Sequence, residues 1–134
     1  MNPFAHLAPE TLLTTLGIEF VEITKDKVVA TMPVGPKVHQ PFGLLHGGAT
    51  VALAETVAST AAWMNVDQAR EQAVGVEINA NHLRAKREGV VTATATPVHL
   101  GRRTQVWEIR VVDEAGKAVC VSRCTLAVVP REGP

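Results

Sequence analysis

From Val38 to Val66 the chain carries one formally charged side chain, Glu55. Its neighbours from Gly48 to Ala62 are Ala, Val, Leu, Gly, Thr and Ser, and no Lys or Arg lies close in sequence to pair with it. Taking a carboxylate out of water costs several kcal/mol unless it is paired, hydrogen-bonded or protonated. A fold that accepts this segment must therefore give Glu55 a partner or a task. Two readings follow from the residues alone: a hydrogen-bonded structural acid, or a catalytic carboxylate.

The same segment predicts a helix from Gly48 to about Met64. Ala49, Val51, Ala52, Leu53, Ala54, Val57, Ala58, Ala61, Ala62 and Trp63 point in nearly every direction around its axis. A helix that is apolar all round is expected to be buried on all sides. Its alanines favour helix and permit close approach of a sheet. Glu55 and Ser59 are four apart, hence on one face, one turn from each other. Pro41, Gly43, Gly47 and Gly48 punctuate the loop before it, and the glycines let a ligand or backbone approach closely.

The flanking pattern is mostly strand-like. Leu12, Leu13 and Leu16 predict a short helix from Pro9 to Leu16, stopped by Gly17. Ile18 to Ile23 and Val28 to Val34 predict a hairpin turning at Asp26-Lys27. After a polar break from Asn65 to Gln72 come four long β-type runs: Ala73 to Leu83, Val90 to Val98, Thr104 to Val112 and Ala118 to Val129. Asp113 to Lys117 reads as a hairpin turn and Arg131 to Pro134 as a short tail. Strands with one segregated helix mean an α+β fold. A lone hydrophobic helix must be wrapped by the sheet, which is the outline of the hotdog fold: a curved antiparallel sheet of about six strands around one long helix. An open sheet leaves edges and an outer face to cover, so at least a symmetric dimer is expected.

The 134 residues are expected to form one domain, 1–134. With 46% hydrophobic and 19% charged residues the chain is globular, not disordered. Thirteen basic and thirteen acidic residues cancel, which argues against a nucleic-acid or anionic-membrane binder. The uncharged stretch is broken by Gly, Pro, Gln, His and Glu55 and is a poor membrane span. The N-terminus has neither a charged n-region nor an apolar h-region, so a cytoplasmic setting is the default. Cys120 and Cys124 would share a strand face too far apart for an unstrained bridge, and read as buried free thiols. No Cys/His spacing suits a metal.

Gln40 to Ala49, then Leu53-Ala54-Glu55 and Ser59, together with Gly75 to His82, His99-Leu100-Gly101 and Gln105-Val106-Trp107, resemble the aryl-CoA branch of the hotdog-fold acyl-CoA thioesterases. That branch includes 1,4-dihydroxy-2-naphthoyl-CoA hydrolases and the Glu-dependent 4-hydroxybenzoyl-CoA thioesterases. The match runs from Met32 to Val129. A related phenylacetyl-CoA type carries Asp where this chain has Glu55. The resemblance implies hydrolysis of an acyl-CoA thioester to free acid and CoA, without metal or cofactor. It makes Glu55 the nucleophile or the general base toward water. Gly47 supplies the backbone N–H that polarises the thioester carbonyl, Gln40 and His46 orient carbonyl and leaving thiolate, and Ser59 occupies a hydroxyl position one turn on. It also implies a site shared across a dimer interface, commonly in a dimer of dimers.

Each assignment has a plainer alternative. His46 could cap the helix, Ser59 could bond back to the carbonyl of Glu55, and His82 could simply pack. Arg84, Lys86, Arg87, Arg102 and Arg103 form two basic clusters after strand-like runs. CoA phosphates suit such residues at a surface; solvated turns are the commoner fate of charge runs. Arg84 and Arg102, with His82 and Gly101, are the candidates for CoA contact. Phe42, Trp63 and Met64 are candidates for the acyl pocket. Two other functions fit the pocket: proofreading of carrier-protein thioesters, and an acyl-CoA-binding module without turnover.

Overall fold

The computed structural model describes residues 2–132. The elements are α1 (Leu12–Leu16), β1 (Glu19–Ile23), β2 (Val28–Val34), a 3₁₀ turn (Pro36–Val38), α2 (Gly47–Trp63), β3 (Glu71–His82), β4 (Gly89–Leu100), β5 (Thr104–Val112) and β6 (Ala118–Pro130). Met1, Gly133 and Pro134, the last two being the end of the expected tail, lie outside the described residues. The expected helix at Pro9 to Leu16 is shorter than its pattern. Thr11 caps it through a capping box with Thr14, which leaves Pro9 and Glu10 outside, and Gly17 ends it at φ 72°.

One six-stranded sheet, order β1-β2-β4-β5-β6-β3, is antiparallel at every pairing. Strands β2 and β3 follow each other in sequence but lie four positions apart in the sheet. Helix α2 is their connection, so it has to traverse the concave face, and this is what places it inside the curl. Leu53, Ala54, Val57, Ala58 and Ala61 are fully buried, as are Met32, Val91, Ala93, Ala95, Trp107, Ile109, Val111 and Leu126 from the strands. Alanines on both the helix and β4 allow close packing. Each large aliphatic side chain buried here contributes roughly 1.5–3 kcal/mol. Trp107 meets its one polar need inside the core, donating from Nε1 to Gln105 Oε1 at 2.9 Å. This is the hotdog arrangement.

The expectation that α2 is buried on all sides is corrected by the structure. The face carrying Ala52, Glu55, Thr56, Ser59 and Trp63 is only half-buried. The sheet covers one side of the helix, and the other side looks into an open cavity. Cys120 and Cys124 are free and buried, as read. Among the described residues no helix is long and apolar enough to cross a membrane.

Candidate active site

The loop before α2 is held by its own main chain. His39 and Leu45 form an isolated bridge. The Gln40 N–H donates to the Leu44 carbonyl at 2.8 Å, and the Gly43 N–H to the Gln40 carbonyl at 3.0 Å. Gly43 needs its positive φ of 78° to close this turn. Gln40 Oε1 accepts from the Phe42 N–H. Phe42 itself, 82% exposed at the tip, lines neither the cleft at the helix start nor the cavity beside Glu55. Leu45 donates to the Lys86 carbonyl at 2.7 Å, and the His39 ring lies 2.7 Å from the Arg87 carbonyl. The turn is thus tied to the segment after β3.

The helix start sorts its amides. His46 is the N-cap, and its Nδ1 accepts from the Gly48 N–H at 2.8 Å. Acceptance through Nδ1 puts the ring proton on Nε2. Ala49 and Thr50 donate to the His46 carbonyl. Gly47 is left as the first-turn N–H without an acceptor among the described residues. A Cβ on Gly47 would come within 3.0 Å of His82 Nε2, so the imidazole lies directly over it. Gln40, Gly47, Thr50, His82, Leu83 and Arg84 line one open cleft of about 360 Å³. The loop carrying Arg84 is pinned by Lys86, which bonds Glu114, while Glu114 also accepts from the Val90 N–H at 2.9 Å. The Lys86 bond, with backbone bonds, holds the Glu114 carboxyl at about 2.

Glu55 is eight residues further along α2, about 12 Å up the helix axis from Gly47. Its carboxylate lies against β3: a Cβ on Gly75 would be 2.6 Å from Glu55 Oε2. Glu55, Ser59, Thr56, Trp63, Phe4, Leu12 and Leu13 are among the walls of an open, mainly apolar cavity of about 570 Å³. The Thr56 and Thr60 hydroxyls donate back to the carbonyls of Ala52 and Thr56 at 2.7 and 2.8 Å. Among the described residues Ser59 makes no such back-bond, and its side is open to the cavity beside Glu55. The Phe4 ring stacks at a tilt on Trp63, centroids 5.2 Å apart. Beneath, on β6, burial pushes the Cys124 thiol up to about 12, helped by the charges of Glu55 and Glu77.

Of the residues singled out from sequence, Gln40, His46, Gly47, His82 and Arg84 gather at the helix start. Glu55 and Ser59 form a separate group in the middle. Gly101 and Arg102 sit in the β4–β5 turn, closed by the Gly101 N–H donating to the Thr104 carbonyl at 2.9 Å. Leu100, Gln105, Leu126 and Gly75 form one row across the sheet, so this turn lies at the Glu55 end. Arg84 follows His82, which pairs with Cys120. The six residue steps along β6 between the two rows, Cys120 to Leu126, span about 20 Å, so within one chain Arg84 and Arg102 belong to opposite ends of the sheet. Met64 is the C-cap of α2 and lies outside the cavity, whereas Trp63 lines it. Sequence reasoning missed Phe4, Leu12 and Leu13 as cavity walls, and Gly75 as the seat of the carboxylate. A glycine in a strand interior is itself a sign of close approach.

The sequence pattern of the Thioesterase superfamily matches residues 42–120. A 1,4-dihydroxy-2-naphthoyl-CoA hydrolase of Listeria monocytogenes is 53% identical over 117 residues, covering 87% of this chain and 94% of the relative. An Escherichia coli protein of the same name is 49% identical over 114 residues, covering 85% and 83%. The solved structure of a thioesterase from Haemophilus influenzae superposes with a TM-score of 0.89 at 47% identity, over 95% of this chain and 88% of that one. With the family matched across more than half its length and full-length relatives at about half identity, this chain belongs to the thioesterase superfamily and is a hotdog-fold thioester hydrolase.

Proposed function

We propose that the protein hydrolyses aryl-CoA thioesters, such as 1,4-dihydroxy-2-naphthoyl-CoA or a hydroxybenzoyl-CoA, to the free acid and CoA. The observation that carries this reading is the Glu55 carboxylate opening onto an apolar cavity walled by Phe4 and Trp63. A cavity of about 570 Å³ is of the size that small-molecule sites use. The names of the two hydrolase relatives favour the naphthoyl thioester, and with it a step of menaquinone synthesis.

The chemistry needs a polarised carbonyl, a nucleophile and a route for the thiolate. The Gly47 N–H, at the positive end of the helix dipole, suits the developing oxyanion. With its Oε1 held by Phe42, Gln40 offers its NH₂ to the substrate carbonyl, and His46 offers Nε2–H toward the leaving sulfur. Glu55 either attacks the carbonyl carbon or takes a proton from the attacking water, and Ser59 holds that water or the carboxylate. Acyl–sulfur cleavage releases CoA thiolate, which takes up a proton; on the direct-attack route it leaves a Glu55–acyl anhydride, which a water opens to the free acid and the regenerated carboxylate. His82 and Arg84 from one chain, and Gly101 and Arg102 from another, are assigned to the CoA moiety.

Because Glu55 stands about 12 Å along α2 from Gly47, the reacting set is completed by a second copy. Strand β3 is the edge to receive it. It is twelve residues long, pairs only with β6 among the described residues, and exposes Val74 and Val76. A dimer through β3, paired again into a dimer of dimers, is the assembly proposed. The test is release of free thiol from benzoyl-CoA and 1,4-dihydroxy-2-naphthoyl-CoA. Glu55→Ala is expected to fold normally and lose about 10²–10⁴ in kcat. Equal rates in the two proteins would end the assignment. Acyl-CoA binding without thiol release would make it a binding module. Turnover confined to carrier-protein thioesters would move the substrate class.

A further inference from the structure

We infer that Gly75 is a positioning residue: the missing side chain on β3 is the seat of the Glu55 carboxylate and the reason a glutamate, rather than a shorter acid, serves at that position. The inference rests on the reading of Glu55 as the reacting carboxylate.

Three observations carry it. First, Glu55 Oε2 lies 2.6 Å from where a Gly75 Cβ would stand, closer than real Cβ contacts occur. Second, Gly75 is absent from the glycines of positive φ, which are Gly17, Gly43, Gly89 and Gly116. Its backbone is one that alanine adopts freely, so space and not conformation calls for glycine here. Third, the β3–β6 register slips between Gly75 and Glu77, leaving Val76 as the extra residue, 65% exposed. A bulge next to a functional group is a common way to re-aim a strand. Here it follows directly after the residue that receives the carboxylate. A glycine in a strand interior also weakens the strand and packs nothing. That cost is explained if the vacated volume is filled by Glu55.

An alanine at 75 has to push Oε2 back by close to an ångström to reach ordinary contact, and a misplacement of about 1 Å costs on the order of 100-fold in rate. Aspartate at 55, one methylene shorter, withdraws from that Cβ. Wild type, Gly75→Ala, Glu55→Asp and the double variant are compared in kcat, KM and melting temperature. Gly75→Ala is expected to lose about 100-fold in kcat with KM nearly unchanged. The double variant is expected to turn over at least about tenfold faster than the product of the two single losses, since contacting sites couple. Wild-type kcat in Gly75→Ala, or losses that simply multiply in the double variant, would overturn the inference. If Gly75→Ala does not fold, the same change in a Glu55→Ala background decides. Restored folding and melting supports the contact, and no restoration overturns it. That cycle reads the 55–75 contact without activity, so it stands apart from a failure of Glu55 as the catalytic group.

Discussion

The start of α2 and its middle are built in opposite ways. At the start, position is set by main chain: the 40–44 turn, its ties to Lys86 and Arg87, and the His46 cap that leaves the Gly47 N–H open. In the middle, position is set by side chains in an apolar cavity and by a strand residue that has none, Gly75. Backbone dipoles suit a charge that appears only in the transition state. A carboxylate on a packed helix suits a group that must deliver itself or a water. In the function proposed above each region supplies half of what thioester hydrolysis needs, and about 12 Å of helix separates them in one chain.

The largest effect at the helix start comes from removing the single Gly47 N–H. Proline at a first helical position keeps the helix, and His46, at φ −69° and ψ 129°, already has the extended backbone that a following proline requires. The nearest neighbours of a Cβ at this position are atoms of the His82 imidazole, a side chain that can turn aside. Gly47→Pro should therefore fold, with kcat for thiol release reduced by about 10²–10³. Unchanged kcat would take the oxyanion role away from the helix start.

A smaller effect tests whether the two regions meet across chains. Val76→Lys puts a charge on the exposed edge of β3, a device that blocks strand pairing. The variant should shift toward monomer in analytical ultracentrifugation and lose at least about tenfold in activity, since an open edge no longer receives a partner. A monomer with full activity would mean that one chain suffices.

The smallest effect concerns the floor beneath Glu55. Burial raises the Cys124 thiol from 9.0 to about 12. The unfolded chain gives up this proton first, so the native state keeps the benefit below pH 9 and loses it as pH rises toward 12. Neutral-pH titration with a thiol reagent should leave Cys124 unmodified until the protein is denatured. Rapid labelling of the native protein would show that the core opens at β6.

Much of this was legible in sequence, for identifiable reasons. Alternation marked Val28 to Val34 and Thr104 to Val112 to the residue, because strands with one face buried write a period of two. The isolation of Glu55 marked the cavity. The motif around Gln40, His46 and Gly47 led to the family. What was not legible depends on distance in the chain. Periodicity shows that α2 is apolar all round but not that one face opens onto a cavity. Leu12 and Leu13 read as one face of a short helix, with nothing to say that they wall the Glu55 cavity with Phe4. The separation of Arg84 from Arg102 follows from sheet order, with β3 at one edge and the β4–β5 turn two strands in, which no local pattern encodes.

In the assembly proposed above, Glu55 of one copy works with the Gly47 amide of another. This pairing is tested by co-expressing Glu55→Ala and Gly47→Pro chains under different tags and purifying the mixed dimer. Each variant alone should be nearly inactive. In the mixed dimer one site receives both defects and the other receives neither, so about half the wild-type rate per dimer should return. A mixed dimer no more active than its parents would place Glu55 and Gly47 in the same site of the same chain and rule out the shared site.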